Sequence, residues 1–348
     1  MMKRLVPLCL ILMAAATGWA QTEIPEKFQS RILEFAPDAD TNEDGSLTTE
    51  ELKAYYPSLP LQAQQMLNRR FPELKTSLSE AEEGETTETL SFKRPAGSPQ
   101  EGREKGYNCL FLGHSYFVPI VMKIQQHAVA LGLENHEQYI VASGGPKGSP
   151  GKLWANEQVS KPAKDLLKSG SVELVAMTAH YVGSEVEDYS RWVDLALEHN
   201  PKTVFVLQSP WAQKQEKDFT EYTQEIQSIM QTSGGLVEAL RAKYPGVVFM
   251  RVAQAQWMSD LWRLYEDKQL PELTSLIAPS KGEAQASLFR DQHGHGGDLA
   301  VNEGVFLWLR VLYGIDLKSY DIPTMTAYDT KSLAQKITDD DPYAAFPQ

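Results

Sequence analysis

Ser115 and a cluster of acidic and basic residues near the carboxyl end of the chain have the groups needed for nucleophilic catalysis. Ser115 follows an apolar segment that ends in glycine, and an amphipathic helical pattern begins directly after it. Asp291, His293 and His295 lie much later in a glycine-rich segment. A serine hydroxyl becomes nucleophilic when a histidine accepts its proton and a carboxylate orients that histidine. These residue types therefore predict an activated serine nucleophile at Ser115, with a plain turn at the serine as the alternative.

The hydrophobic pattern predicts the elements that position these residues. Five short apolar segments are typical of buried strands, namely Asn108–Leu112, Gln138–Ala142, Val172–Thr178, Thr203–Gln208 and Val247–Val252. Segments with helical spacing separate or follow them, at 117–131, 157–169, 187–199, 220–243, 259–269 and 299–313. Strand and helix alternate, which predicts a parallel sheet with helices on both faces. Ser115 then lies at the carboxyl edge of the first strand, where open α/β sheets bind ligands.

An acidic segment near the amino end has the oxygen ligands of a calcium loop. The expected ligands are Asp40, Asn42, Asp44, the carbonyl group of Ser46 and the bidentate carboxylate of Glu51. Gly45 takes the sharp turn of the loop, and Leu47 the apolar position after it. A solvated acidic loop is the alternative, but all of these positions fit the pattern at once. Residues 26–56 resemble a single EF-hand, which implies weak Ca²⁺ binding, with a dissociation constant on the order of 10⁻⁴ to 10⁻³ M.

The rest of the sequence indicates an exported protein of two domains. Residues 1–20 have the charged start, the apolar middle and the small final residues of a secretory signal, which predicts a secreted or periplasmic location. The predicted organisation is a signal peptide over 1–20, a small helical EF-hand domain over 21–75, an acidic linker over 76–106, an α/β domain over 107–316 and a tail over 317–348. No later segment reaches the ~20 apolar residues of a membrane span. The net charge of −13 argues against nucleic acid as a partner.

Three blocks of the α/β domain resemble the SGNH/GDSL hydrolase superfamily over roughly residues 107–316. FLGHS, ending at Ser115, resembles the first block, which is usually Gly-Asp-Ser, with His114 in place of the aspartate. SGGPKGSPGKLW, which contains Gly145, resembles the second block, and the segment from Asp291 to His295 resembles the last, usually Asp-x-x-His. The resemblance implies a flavodoxin-like three-layer sandwich with a five-stranded parallel sheet. It also implies serine esterase activity and an oxyanion donor at Gly145.

The sequence departs from the family pattern at two places. The third block, usually Gly-x-Asn-Asp, is replaced by TAHY, in which His180 is the residue best placed to donate to the oxyanion instead. Asp291 lies two residues before His293 and four before His295, never three. We favour His295 as the base because it adjoins the glycines and the start of the following helix, with His293 as the runner-up. A metal site at the two histidines, with Asp291 and Asp298 nearby, is the alternative. The other histidines, His127, His136 and His199, are predicted to be solvated.

Together these patterns predict a secreted serine esterase with a calcium-binding domain. Ser115 attacks the ester carbonyl group, His295 accepts the proton and Asp291 holds the imidazole, while the N–H groups of Ser115 and Gly145, with His180, receive the oxyanion. The predicted substrates are small-molecule or carbohydrate esters, such as acylated polysaccharides. The alternative belongs to another class. The missing asparagine of the third block favours a calcium-dependent binding or surface protein that keeps the SGNH fold without turnover.

Overall fold

The computed structural model describes residues 29, 45–48, 51–52, 105–178, 185–213 and 217–345, with only the backbone at 281–283. The chain folds into two compact units, Met1–Glu88 and Thr89–Gln348. Several predictions concern residues outside the described ranges: the signal peptide, most of the acidic linker, the calcium ligands Asp40, Asn42 and Asp44, and the oxyanion residue His180. None of the described helices is long and apolar enough to cross a bilayer.

A five-stranded parallel sheet forms the centre of the second unit. Its strands are β1 (Asn108–Gly113), β2 (Glu137–Ala142), β3 (Leu174–Thr178), β4 (Val204–Gln208) and β5 (Phe249–Val252). They lie in the order β2-β1-β3-β4-β5, which is the order of flavodoxin-like doubly wound sheets. Strand β1 therefore has a partner on each side, and Cys109 to Leu112 are fully buried. The predicted α/β architecture with a five-stranded parallel sheet is confirmed.

Helices cover both faces of the sheet. They are α1 (Val118–Ala130), α2 (Pro150–Ala155), α3 (Glu157–Lys168), α4 (Val186–His199), α5 (Phe219–Lys243), α6 (Gln254–Glu266), α7 (Asp298–Tyr313) and α8 (Thr330–Asp340). Successive side chains of a strand point to opposite faces, so Phe111 packs with Trp308 of α7 while Leu112 lies in the cluster of Trp192 of α4. The two apolar clusters make the sandwich three layers thick.

The sequence pattern missed several short elements. They are α2, the 3₁₀ turns Gly145–Gly148 and Lys281–Ala286, and a two-stranded parallel sheet of β6 (Ser275–Ile277) and β7 (Ser287–Phe289). Each has six residues or fewer, so none shows a full period of apolar residues. Helix α6 also begins at Gln254, five residues before the predicted start at 259.

Residues 317–345, which the sequence analysis assigned to a tail, pack onto the α/β unit. Helix α8 is capped by Asp329, whose carboxylate accepts from the Ser332 N–H group at 3.0 Å, and its Ala334 is fully buried. Beyond the helix, the carboxylate of Asp341 binds the Arg251 guanidinium of β5 at 2.6 and 3.0 Å. Both side chains of this ion pair are at most 4% exposed. The segment therefore belongs to the folded domain.

Two histidines predicted to be solvated are buried. His127 of α1 is 9% exposed, and its Nδ1 atom lies 2.8 Å from the hydroxyl group of Tyr320. His136 is 6% exposed, and its Nδ1 atom lies 2.6 Å from the hydroxyl group of Tyr313. The prediction was wrong because it considered only the local segment, whereas the covering tyrosines come from residues 313–320, far along the chain. His199, in contrast, is exposed as predicted.

Candidate active site

Ser115 lies in the turn between β1 and α1. The turn is tight because the His114 carbonyl group accepts from the N–H groups of Phe117 and Val118 at 3.0 and 3.1 Å. Gly113, at the end of β1, has no room for a side chain, since a Cβ atom there would lie 2.6 Å from Phe117 and from Thr178. Ser115 is half-buried. The close packing at Gly113 holds the serine at the carboxyl edge of the sheet.

The structure brings Ser115, His295 and Asp291 into one chain of hydrogen bonds. The Nε2 atom of His295 lies 2.8 Å from the hydroxyl oxygen of Ser115. Its Nδ1 atom lies 2.7 Å from a carboxylate oxygen of Asp291. His293, the runner-up for the base, lines the same pocket but its ring centroid is 6.4 Å from that of His295. The arrangement therefore uses the histidine that we favoured from the sequence.

Electrostatics assign the protons along this chain. Burial raises the pKa of Asp291, but the hydrogen bonds from the ring and the backbone N–H group of His295, with the charge of Arg290, outweigh burial and lower the pKa. An ionised carboxylate has no proton to donate, so Nδ1 of His295 carries the ring proton and donates it to Asp291. The Nε2 lone pair then accepts from the Ser115 hydroxyl group, which is the orientation that a general base needs.

The loop between β7 and α7 carries both the acid and the base. Its backbone is closed by two hydrogen bonds, from the Arg290 N–H group to the His295 carbonyl group at 2.7 Å and from the Gly294 N–H group to the Asp291 carbonyl group at 3.0 Å. Gly294 has φ +88°, a conformation that favours glycine. This turn folds Asp291 back onto His295 although they are four residues apart, which accounts for the spacing that departs from the family pattern.

Ser115 lines a pocket of about 180 Å³. The lining residues are His114, Ser115, Tyr116, Gly145, Gln213, His293 and His295. Gly145, with φ +51°, is the first residue of the 3₁₀ turn after β2. Its N–H group has no acceptor within that turn because the first N–H groups of a helix point outward. Ser115 and Gly145, the two residues predicted to supply oxyanion donors, therefore both line the pocket.

The glycine-rich segment after β2 is held close to the nucleophile. The Ser143 N–H group donates to the Gly113 carbonyl group at 3.1 Å. A Cβ atom at Gly148 would lie 2.5 Å from the carbonyl oxygens of both residues. Only a glycine at position 148 therefore lets the segment pack against the end of β1, and this contact brings Gly145 to the pocket.

Three pocket residues were not among the residues predicted to act. Gln213 follows the carboxyl end of β4 by five residues, and the carboxyl ends of parallel strands are where ligand-binding residues collect. Tyr116 and His114 flank the serine in sequence, and His114 was noted only as a departure from the family pattern. Position relative to a strand end was the signal that could have found all three.

The predicted metal alternative at the two histidines does not fit this geometry. Both ring nitrogens of His295 are occupied, one by Ser115 and one by Asp291. Asp298, the fourth residue of that alternative, is exposed at the start of α7. Among the described residues there is no group of three or more His, Cys, Asp or Glu side chains that could hold a metal ion.

Residues 45–48 and 51 of the predicted calcium loop are among the described residues. Gly45 has φ +82°, a left-handed conformation that favours glycine. Leu47 is 1% exposed. The carboxylate of Glu51 accepts from the N–H and hydroxyl groups of Thr48 at 3.0 and 2.7 Å, so it faces back toward the loop rather than outward. Two of the five predicted ligands, Ser46 and Glu51, lie in the described residues, and the calcium site stays a prediction.

No family model matches the chain, and no curated protein does. Among solved structures, the chain is similar to the periplasmic domain of a lipopolysaccharide acetyltransferase from Salmonella ser. Paratyphi A, at 11% sequence identity and a TM-score of 0.30, over 49% of this chain and 76% of that one. A likeness so remote carries no argument about activity, and the chemistry of the site follows from its own residues.

Proposed function

We propose that the protein is an exported serine esterase of the SGNH type, with Ser115 as the nucleophile, His295 as the base and Asp291 as the residue that orients the base. The observation that carries the proposal is the continuous hydrogen-bond chain from Ser115 through His295 to Asp291, with distances of 2.8 and 2.7 Å. A serine, a histidine and a carboxylate joined in this order are the parts of an activated acyl-transfer nucleophile. Export by the signal peptide at 1–20 is part of the proposal.

The reaction follows from the proton positions. The Ser115 oxygen bonds to the ester carbonyl carbon as its proton passes to Nε2 of His295, and the carbonyl oxygen becomes an oxyanion near the N–H groups of Ser115 and Gly145. The ester C–O bond then breaks, and the leaving alcohol takes the proton from His295. A water molecule repeats the sequence on the acyl-enzyme, which releases the carboxylic acid and restores Ser115. His180 is proposed as a further oxyanion donor in place of the missing asparagine.

The proposed site for the acyl group is the pocket of about 180 Å³ that Ser115, Gly145 and His295 line. The alcohol side of the ester is proposed to be a small molecule or a carbohydrate, as for acylated polysaccharides.

The test compares the protein lacking residues 1–20 with its Ser115→Ala variant on acetyl and butyryl aryl esters. We expect turnover that Ser115→Ala abolishes, and covalent labelling of Ser115 by a fluorophosphonate, located by mass spectrometry. Ser169→Ala, which removes an exposed serine after α3, is the matched control and should retain full activity. If the protein neither hydrolyses these esters nor reacts with the probe, the non-catalytic binding protein becomes the better account.

We also propose that residues 40–51 bind Ca²⁺. Ser46 would supply its carbonyl oxygen and Glu51 its carboxylate, together with Asp40, Asn42 and Asp44. The positive φ of Gly45 and the burial of Leu47 support the proposal. Bound Ca²⁺ would stabilise this domain by an amount that grows with the logarithm of its concentration.

Glu51→Gln separates the calcium role from the capping role of this residue. The Thr48 hydroxyl oxygen accepts from the Glu51 N–H group at 3.2 Å while the Glu51 side chain accepts from the Thr48 N–H group, so the pair forms a capping box. Glutamine also serves in a capping box, but it lacks the bidentate carboxylate. Calorimetry at millimolar Ca²⁺ should show a heat of binding that this variant loses. The same heat in the variant would contradict the assignment.

A further inference from the structure

Two buried aromatic side chains hold the backbone of the turn that carries His295. The hydroxyl group of Tyr116 donates to the carbonyl group of His293. The indole N–H group of Trp211 donates to the carbonyl group of the next residue, Gly294, at 2.7 Å. Two consecutive peptide groups immediately before His295 are therefore fixed by donors from outside their own loop.

The two donors form one rigid unit. The rings of Tyr116 and Trp211 are stacked with centroids 4.7 Å apart and an interplanar angle of 1°. Tyr116 is 6% exposed and Trp211 is 1% exposed. Tyr116 belongs to the turn after β1, and Trp211 follows the end of β4 by three residues. The unit is thus anchored at the carboxyl ends of two strands of the central sheet, and the turn of His295 is bound to that edge.

Tyr116 also contacts the imidazole ring directly. Its ring meets that of His295 edge to face, with centroids 5.1 Å apart and an interplanar angle of 84°. Tyr116 directly follows Ser115 in the sequence. One short turn therefore carries both the proposed nucleophile and the side chain that contacts its base, His295. A small misplacement of reacting groups lowers the rate strongly, and a base on a loop depends on such contacts more than a base on a helix or strand.

We propose that Tyr116 and Trp211 are positioning residues that hold His295 in hydrogen-bond contact with Ser115. The inference rests on the proposed function of Ser115. Neither aromatic side chain takes part in the bond changes of the reaction. Their role is to keep the loop from Asp291 to His295 at a fixed distance from the end of β1, so that the base meets the serine without an ordering step in each turnover.

The experiment compares Tyr116→Phe with Tyr222→Phe. The first variant removes a single oxygen atom and keeps the stacked ring. The second removes the hydroxyl group of a fully buried tyrosine that has no hydrogen-bond partner for that group among the described residues. We expect Tyr116→Phe to lower kcat about tenfold with KM unchanged, and Tyr222→Phe to leave both unchanged. Trp211→Phe should lower kcat further, and if it does not fold, Tyr116→Phe carries the test alone.

A second readout does not depend on turnover. The proton on Nδ1 of His295, hydrogen-bonded to Asp291, should give a low-field NMR signal that His295→Ala removes and that Tyr116→Phe shifts or broadens. Unchanged kcat and an unchanged signal in Tyr116→Phe would overturn the proposal. If Ser115→Ala keeps the esterase activity, the proposed function fails, but the NMR comparison still decides whether Tyr116 positions His295.

Discussion

The buried His127 predicts that the α/β domain loses stability in mild acid. Burial and the charge of Lys123 lower the pKa of His127 from 6.5 to about 4. The native state therefore resists protonation at pH values where the unfolded chain accepts a proton, and stability falls as the pH drops from 6.5 toward 4. The shift from 6.5 to about 4 corresponds to a loss of about 3 kcal/mol by pH 4, with about 2 kcal/mol already lost at pH 5.

The assay follows urea unfolding of wild type and His127→Gln at several pH values. Tryptophan fluorescence reports the α/β domain, because six of the seven tryptophans lie between 154 and 308 and the seventh, Trp19, lies in the predicted signal peptide. Glutamine keeps a polar partner for the hydroxyl group of Tyr320 but cannot gain a proton. The stability of wild type relative to the variant should fall by about 3 kcal/mol between pH 7.5 and 4.

Subtracting the free energy of unfolding of the variant from that of wild type removes the contribution of every other group that titrates in both proteins. His199→Gln removes an exposed histidine and serves as the control for loss of an imidazole without opening the interior. Parallel curves for wild type and His127→Gln from pH 7.5 to 4 would refute the reasoning, since they would mean that the fold does not penalise the charged form of His127.

Three further predictions test the site and its support. Asp341→Asn leaves the guanidinium of Arg251 buried without its counterion, so we expect the free energy of unfolding, measured in urea, to fall by about 3–5 kcal/mol. The control Asp339→Asn breaks an ion pair whose carboxylate is 44% exposed, and its free energy of unfolding should fall far less. Asp291→Asn should lower kcat about 10³–10⁴-fold in the ester assay, because an amide can donate a hydrogen bond to the imidazole and favour the wrong tautomer. A loss of less than tenfold would contradict the proton assignment. Gly113→Ala should destabilise the domain by about 1–3 kcal/mol through overpacking, and an unchanged melting temperature would show that the turn relaxes.

The sequence predicted the parts of the fold that depend on local pattern. Each of the five strands was found within two residues of its observed bounds, because a strand buried on both faces is a continuous apolar run between polar turns. The contact between Ser115 and His295 was predicted in the same way, because Ser115 follows the first strand and His295 precedes the last helix of the predicted α/β domain. What could not be predicted was burial by distant segments. Nothing near His127 in the sequence indicates that Tyr320 covers it.

The same distinction explains which residues of the site were overlooked. Tyr116 and Trp211 have the pattern of ordinary core aromatics, and both are indeed buried. Their function would lie in the donor atoms at the ends of the rings, which meet the carbonyl groups of His293 and Gly294. A buried backbone carbonyl group needs a partner, and a loop that is neither helix nor strand has to find partners outside itself. In this loop the hydroxyl group of Tyr116 and the indole N–H group of Trp211 are such partners, at the carbonyl groups just before the proposed base His295. Candidates for such a role are the tyrosines and tryptophans that follow the strand ends of the same sheet edge.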